Sequence, residues 1–523
     1  MQLLLKERQS IDAINTLLET QEETIADIKQ LVADFNVLNS VTVKVNGDDK
    51  KPDVQLGHPV DVYLAIRRLA IDWKDMYDLL DENQRLLKEV QTNLVGIDNS
   101  PNIFGGTVFL NSITDEEFKD GIHGMRDLVN IYGVDIKSMA NGIVSYRDRY
   151  GINQRYTRPE APVVQLNSFD CFAIGKQSYD NFEYSQAREW FEMAVHKRNS
   201  ETSPEMLAET YEHLAYCEAR TSNLSQALVY MHKSLAIEPH DNVDEIKELL
   251  TNMSIDGNNR SPINTEYLMA KNLCQGITSL NTNNKFSVQS LHCYYMNTAR
   301  IPVLRLIRVK VELLYHLPQI VVIHGFLSDT ETQVLKQLAK PKLFRTTVVH
   351  AETKQQVRDR HRVAEGGWLD DSENQVVDRI SKRIAAITGM DVRQAEQYNA
   401  IKYGVGGYYA HHYDVFVPQN TPISAKIYGD QLNRVASWIN YLDDVPAGGA
   451  TVFPYLGVTV WPEKGAALLW HNLLKSGHVD LQTYHGGCPV LIGHKWIATK
   501  WIPELGQTFT KPCSHDINEY NKL

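Results

Sequence analysis

Tyr408-Tyr-Ala-His-His-Tyr-Asp-Val-Phe-Val417 is the stretch on which the reading of this chain turns. As a strand, its successive side chains alternate faces, so His412 and Asp414 point one way while His411 and Tyr413 point the other. One tripeptide then offers two metal donors. Two imidazoles and one carboxylate can cap one face of an octahedral Fe(II), leaving positions open for an oxidant and a cosubstrate. The third donor has to come from elsewhere in the fold, and His485 opens His485-Gly-Gly-Cys-Pro-Val-Leu-Ile-Gly-His-Lys-Trp496, whose apolar middle predicts a buried strand. A His-x-Asp tripeptide decides little by itself in a chain with 18 histidines and 64 acidic residues. Lys495 adds weight: a buried ammonium is costly without an anion, and a dicarboxylate could chelate iron at one end and pair with Lys495 at the other. Taken singly, His485 also reads as a hydrogen-bonded core histidine and Lys495 as an exposed strand residue.

Upstream, Tyr403-Gly-Val-Gly-Gly is followed by neither a P-loop lysine nor a helix start, which excludes a phosphate loop. Its glycines instead suit a close backbone approach before the ligand strand. Gly448-Gly449 ahead of Thr451-Val-Phe453 reads as a hairpin corner. The 523 residues allow about three domains. A net charge of -11 without a basic run argues against a nucleic-acid binder. No apolar stretch reaches the roughly 18 residues a membrane span needs. No CxxC pair suggests zinc. Met1-Gln-Leu-Leu-Leu-Lys-Glu7 is too short and too soon charged for a signal-peptide core, so a secretory signal is expected to be missing or already removed. Asn223-Leu-Ser225 and Asn252-Met-Ser254 are sequons compatible with glycosylation. Cys171 and Cys217 fall in helical patterns and read as small buried apolar side chains.

At the amino terminus Leu4, Ile11, Leu18, Ile25 and Val32 repeat every seven residues, with Ile14, Ile28 and Phe35 at alternate d positions, which predicts a coiled-coil seam. A second helix is expected after His58-Pro59, with Ile66, Leu69, Trp73, Met76, Leu80 and Leu87 on its seam. Pairing within one chain and pairing between two both satisfy this pattern. Between 165 and 242 the chain repeats itself: Tyr184-Ser-Gln-Ala-Arg188 and Leu224-Ser-Gln-Ala-Leu228 each open the second helix of a pair, as in a tetratricopeptide repeat. Two repeats make a shallow groove, and an extended proline-rich peptide docks on aromatic side chains at low ordering cost. Tyr179, Tyr184, Tyr211, Tyr216 and Tyr230 are the candidates. Residues 245–300, rich in Asn, Ser and Thr, read as a linker with a disulfide-tied loop. Val303–Val311 and Ile320–Ile323 read as sheet, and Thr330–Leu338 and Gln375–Ile387 as flanking helices. The many short strands and Gly or Pro turns of the core, 395–505, predict a double-stranded beta-helix, a jelly-roll barrel, in which Trp438 and Trp496 are packing residues. Arg360-His-Arg362 through Trp368, with Gly366-Gly367, reads equally as a flexible lid, in which Arg362 and Trp368 would contact a peptide, or as a surface loop without a role.

Tyr403-Gly-Val-Gly-Gly-Tyr408, Ala447-Gly-Gly-Ala-Thr-Val-Phe-Pro454, Val460-Trp-Pro-Glu-Lys-Gly465 and Cys488-Pro-Val-Leu-Ile-Gly-His-Lys-Trp496, in that order, resemble the catalytic domain of the collagen prolyl 4-hydroxylase alpha subunits. The likeness extends through His58-Pro-Val60 and Arg67-Arg-Leu69 and covers most of the chain. It implies iron ligands His412, Asp414 and His485, with Lys495 binding the 2-oxoglutarate carboxylate and Tyr403 near the cosubstrate. It further implies hydroxylation of proline in X-Pro-Gly peptides with Fe(II), O2 and 2-oxoglutarate, and L-ascorbate as the reductant that restores the iron. The expected setting is the endoplasmic reticulum lumen. The expected assembly is an alpha2beta2 tetramer with protein disulfide isomerase, dimerised through the amino-terminal helices. The family's cysteines pair at places matching Cys274 with Cys293 and Cys488 with Cys513. The organisation is thus a helical dimerisation region at 1–150, a tetratricopeptide-like peptide-binding domain at 165–242, the linker at 245–300 and a dioxygenase domain at 301–523. His213 and Ala219 stand where the family tends to carry tyrosines, which leaves open another secreted proline-rich substrate, or a non-catalytic peptide-binding subunit.

Overall fold

A computed structural model describes residues 58–67, 70–71, 115–157, 164–200, 202–239, 248, 250–252, 265–277, 291–299, 301–346, 348–349, 356–357, 362–415, 433–516 and 518–523. The chain divides into two compact units, residues 1–147 with 152–263 and residues 148–151 with 264–523. No helix among the described residues is long and apolar enough to cross a membrane.

The described part of the first unit is mostly helical. Helices α1 (Pro59–Arg67), α2 (Asp115–Tyr132) and α3 (Ile136–Ala140) precede a two-stranded hairpin of β1 (Val144–Arg147) and β2 (Asn153–Tyr156). Four helices follow as two pairs: α4 (Ser168–Asp180) with α5 (Tyr184–His196), and α6 (Pro204–Arg220) with α7 (Leu224–Ile237). Helix α4 opens on a capping box in which the Asn167 side chain accepts from Asp170 N–H and Asp170 accepts from Asn167 N–H. Asp170 is buried and also ion-pairs with Arg67 of α1 at 3.2 Å. Gly175 lets α4 and α5 close together, since a Cβ there would lie 2.9 Å from the Phe191 ring. Ala187, Ala194, Ala215 and Ala227 occupy the corresponding tight positions, all buried. The repeat read from the sequence is therefore two helical hairpins. Cys171 and Cys217 are buried free thiols, as expected. The amino-terminal heptads lie outside the described residues. Of the second helix's seam only Ile66 falls within described helix, on α1.

The second unit is built on sheets. Its strands are β3 (Cys293–Tyr295), β4 (Lys310–Tyr315), β5 (Ile320–His324), β6 (Phe344–Arg345), β7 (Val348–Val349), β8 (Gln356–Val357), β9 (Glu365–Leu369), β10 (Tyr398–Tyr403), β11 (Tyr409–His412), β12 (Arg434–Tyr441), β13 (Ala447–Gly448), β14 (Thr451–Phe453), β15 (Val458–Val460), β16 (Ala467–His471), β17 (His485–Gly487), β18 (Val490–Ile492) and β19 (Lys495–Pro503). Nine of them form one sheet in the order β3-β4-β5-β16-β12-β19-β10-β9-β6, and a smaller sheet runs β11-β17-β14-β15. Helices α8 (Thr265–Cys274), α9 (Asp329–Ala339) and α10 (Gln375–Thr388) complete it. One core joins the large sheet to α9 and α10 through Leu335, Val377, Ile380, Ile384, Trp438, Trp496 and Ala498. A second core, with Ile401, Ile439, Ile497 and Trp470, meets Phe453, Val458 and Val460 of the smaller sheet. Even-numbered residues of β19 thus serve the first core and odd-numbered ones the second. Buried Glu331 of α9 is paired with Arg383 of α10 at 2.7 Å, which fixes the two helices to each other. Trp438 and Trp496 are packing residues, as the sequence suggests.

Several expectations are corrected. The linker assigned to 245–300 contains α8 and β3, and the helix packs on β14 and β15 through buried Ala270, Leu273 and Cys274. That packing also overturns the disulfide pairing: Cys274 is bonded to Cys488, 214 residues away, while Cys293 and Cys513 are exposed free thiols. Cys293 sits on the sheet-edge strand β3 and Cys513 in the tail, whereas α8 seats Cys274 beside the segment that follows His485. The sheet expected from Val303 begins only at Lys310; Val303 and Leu306 are exposed ahead of it. Glu365–Leu369 is paired between β10 and β6, so Gly366-Gly367-Trp368 is sheet rather than lid. Both glycines face close neighbours there: added Cβ atoms would stand 2.9 Å from Thr346 Cγ2 and 2.9 Å from the Lys342 carbonyl.

Candidate metal centre

Strand β11 ends at His412, and Tyr413 and Asp414 continue beyond it. It pairs antiparallel with β17, placing His412 directly opposite His485. The two histidines sit on paired strands, but the strand read over 408–417 stops at His412 and Asp414 lies in the bend that follows it. His412 Nε2 lies 3.4 Å from Asp414 Oδ1, and His485 Nε2 lies 3.6 Å from Asp414 Oδ2. One donor atom from each of the three lies within 4.8 Å of the others.

The surroundings prepare these atoms to bind a cation. Nδ1 of His412 is 2.8 Å from the Ala410 carbonyl oxygen, and Nδ1 of His485 is 2.8 Å from that of Thr483. A carbonyl can only accept, so each Nδ1 carries a proton, and the Nε2 facing Asp414 is the atom of each ring left to bind a metal. Burial, reinforced by His412, pushes the His485 imidazole down to about 4, so it is neutral near pH 7. Burial alone would raise the Asp414 carboxyl, but His485 and His412 outweigh it and hold it well below the usual carboxylate range. Ser437 Oγ donates to Asp414 Oδ2 at 2.6 Å, and Asn472 Nδ2 donates to Ser437 Oγ at 2.9 Å. Two imidazole Nε2 atoms, an ionised carboxylate and locked ring orientations fit a divalent iron. Gly486 is required here, since a Cβ would meet the His411 ring at 2.7 Å.

Lys495 faces the same cavity as His412, Asp414 and His485. It is 4% exposed, has Thr451 Oγ1 at 3.5 Å, and has no carboxylate in ion-pair range among the described residues. Burial brings its ammonium down to about 7. Tyr403 stands opposite it in register, with Lys495 Nζ 5.6 Å from the ring centroid. Burial pushes the Tyr403 phenol up to about 12, so it remains a neutral hydrogen-bond donor. Arg362 also reaches the cavity: its guanidinium lies 4.7 Å above the Tyr409 ring, which stacks on His412 at 3.7 Å. Trp368 does not line it, and packs instead 6.3 Å from Trp501. Ser437, Asn472, Tyr409 and Thr451 were not anticipated. For Ser437 the available signal was a serine inside the otherwise apolar strand Val435-Ala-Ser-Trp-Ile439, for a buried polar side chain needs a partner.

In the helical unit the five candidate tyrosines form two groups. Tyr179 lies 5.4 Å from Tyr184 and 6.4 Å from Tyr216. Tyr211 and Tyr230 instead stack on each other at 6.2 Å, with Lys233 Nζ within 5.5 Å of both rings.

The chain's three regions match three described families: "Prolyl 4-Hydroxylase alpha-subunit, N-terminal region" over residues 1–146, "Prolyl 4-hydroxylase peptide-substrate-binding domain" over 168–249, and "2OG-Fe(II) oxygenase superfamily" over 398–503. Prolyl 4-hydroxylase subunit alpha-1 of Rattus norvegicus and of Homo sapiens are each 30% identical over 98% of this chain and 93% of their own length. Subunit alpha-3 of Mus musculus is 30% identical over 98% of this chain and 92% of its own. A solved viral collagen prolyl hydroxylase from Paramecium Bursaria Chlorella virus-1 is 28% identical over 35% of this chain and 94% of its own, with a TM-score of 0.29. With the likeness to the alpha subunits running nearly end to end and the iron-type donor set lying inside the matched oxygenase region, the chain belongs to the prolyl 4-hydroxylase alpha-subunit family.

Proposed function

We propose that this chain is an Fe(II)- and 2-oxoglutarate-dependent peptidyl-proline 4-hydroxylase acting on X-Pro-Gly sequences of collagen-like chains. The observation that carries the reading is the buried, anion-less Lys495 in one cavity with the His412, Asp414 and His485 donors. Iron with 2-oxoglutarate and O2 supplies the oxidation, in which a prolyl C–H becomes C–OH while the oxo acid leaves as succinate and CO2. The protein's part is placement. His412 Nε2, Asp414 Oδ1 and His485 Nε2 would hold the metal, and Ser437 keeps the carboxylate turned so that Oδ1 faces it. Lys495 would pair with the distal carboxylate of 2-oxoglutarate, with Tyr403 and Thr451 beside it. Ile401, Ile439 and Ile497 line the same cavity and exclude water from that pair. Arg362 and Tyr409 border the substrate side.

The two sheets of the catalytic unit suit a double-stranded beta-helix, and the paired helices 168–237 a peptide-binding groove. Family membership supports location in the endoplasmic reticulum lumen, a disulfide isomerase partner, dimerisation through the amino-terminal helices and use of ascorbate. A different secreted proline-rich substrate is the second reading. It is favoured by His213, whose ring centroid lies 5.2 Å from that of Phe191, 5.3 Å from Tyr179 and 6.1 Å from Tyr216. The test is iron-dependent succinate release with and without a Pro-Pro-Gly repeat peptide, using protein co-expressed with disulfide isomerase. Peptide-stimulated turnover with hydroxyproline formation is expected. Folded, iron-loaded protein that the peptide does not stimulate would overturn the collagen-type assignment.

A further inference from the structure

Phe182 is the least expected side chain in the helical unit. It is 73% exposed, and its backbone is left-handed at φ 62, a conformation that L side chains of this bulk rarely adopt. The turn itself explains the φ. Phe182 N–H donates to Tyr179 O and Glu183 N–H to Ser178 O; forty residues on, Ser222 N–H donates to Ala219 O and Asn223 N–H to Glu218 O, with Ser222 at φ 67. The same turn therefore recurs in both repeats, holding a small polar residue in the second and a solvent-exposed phenylalanine in the first. Neither packing nor turn geometry accounts for a phenyl ring there. Where strain and exposure of a large apolar group coincide, a binding role is the economical explanation.

The ring is not isolated. It lies 6.3 Å from Tyr184 in an edge arrangement, Tyr184 lies 5.4 Å from Tyr179, and Tyr179 lies 6.4 Å from Tyr216. A polyproline II chain advances about 3.1 Å per residue and turns a third of the way round each time, so it presents apolar ring faces on every side and suits a contiguous run of aromatic surface. Phe182 thus adds a fourth ring to the run. At the same end, the Arg220 guanidinium lies 5.9 Å from the Tyr184 centroid; Nε is buried without a hydrogen-bond partner, and no carboxylate is in ion-pair range of Arg220 among the described residues. A cation so placed beside an aromatic run complements an anion on the incoming chain.

We infer that Phe182, Tyr184 and Arg220 form an added subsite at the lip of the groove, selecting proline-rich segments that carry an acidic residue next to the docked prolines. This rests on the reading of the helical hairpins as the peptide groove. The test uses the full chain with its isomerase partner and fluorescence anisotropy of two labelled probes, a Pro-Pro-Gly repeat and the same repeat with one proline replaced by glutamate. The glutamate probe is expected to bind more tightly. Phe182→Ala weakens both probes roughly five-fold, the scale of one lost aromatic contact, with Phe182→Leu between. Arg220→Gln removes the advantage of the glutamate probe, so that both probes bind alike. Tyr179→Ala separates the lip subsite from the groove. If it weakens binding while Phe182→Ala does not, the lip subsite is wrong and the groove stands. If neither variant weakens binding, the groove reading falls and the subsite with it. A glutamate probe with no advantage in the unsubstituted protein overturns the acidic preference.

Discussion

Two lysines on one strand, Lys495 and Lys500 of β19, are buried to the same degree and have opposite fates. Lys500, 1% exposed, is held by both oxygens of Asp371 at 2.9 and 3.0 Å and lies 4.4 Å over the Tyr398 ring. Lys495, 4% exposed, has the Thr451 hydroxyl at 3.5 Å and, among the described residues, no carboxylate in ion-pair range. They are five residues apart, so the pleat turns them to opposite faces: Lys500 into the helix-covered core, Lys495 into the cavity between the sheets. A buried charge that the fold has already paired belongs to the structure. One left unpaired is held for a ligand, because removing an ammonium from water is tolerated only where something returns the lost interaction.

The comparison can be broken in four ways. The largest effect is expected at the cavity end. His485→Ala removes one of three donors and should lower iron-dependent turnover at least about a thousand-fold, read as succinate release; near-normal turnover would remove the metal assignment. Next, Lys495→Met should raise the KM for 2-oxoglutarate about a hundred-fold, the cost of truncating one side of a buried charge pair. The same logic sets a pH dependence. With the free ammonium brought down to about 7 by burial, the dianion meets a charged partner below that pH and must supply a proton's worth of binding energy above it. KM should therefore climb roughly ten-fold per unit above about pH 7, while Lys495→Arg, charged throughout, should give a flat profile between pH 6 and 9. A flat profile in the unsubstituted enzyme would mean that another group holds the carboxylate.

A third, smaller effect concerns Ser437, which holds Asp414. Ser437→Ala should raise the iron concentration for half-saturation about ten-fold, as for other residues that orient a metal ligand, and equilibrium dialysis against iron would measure it. The smallest effect is the sharpest test, because its sign differs between the lysines. Lys500→Met should lower unfolding stability by about 1–2 kcal/mol, less than for a fully buried pair since Asp371 is one-third exposed to solvent. Lys495→Met should leave the ligand-free protein unchanged or more stable by about 1–3 kcal/mol, because it removes an unpaired buried amine. Equal losses in urea melts of both variants would show that Lys495 is a structural residue after all.

Some of this was legible before any fold was known. His412, Asp414 and His485 could be read because an His-x-Asp step on an extended chain points two donors one way and an apolar segment beginning with His485 promises a partner strand. The tetratricopeptide hairpins were legible because Gly175, Ala187 and Ala194 recur at the spacing of close helix contact. The helix Thr265–Cys274 was hidden in a polar stretch, since only Ala270, Leu273 and Cys274 face inward and Tyr267 and Leu268 are left exposed. Glu365–Leu369 looked like a mobile loop because its two glycines were read as freedom, whereas they are there for close contacts with Thr346 and Lys342.

The sequence by itself determined which atoms could bind a metal, because donor type and strand alternation are local properties. It also fixed the repeat and the family, through motifs whose order survives any folding. Only the tertiary structure decided which cysteine meets Cys488, since bonding requires Cα atoms within about 7 Å and the docking of α8 brings these two to 5.7 Å across 214 residues. It alone separated Lys495 from Lys500 and brought Ser437 to Asp414. Partnership between distant polar groups depends on which faces of which strands meet, and a linear pattern of side chains does not carry that information.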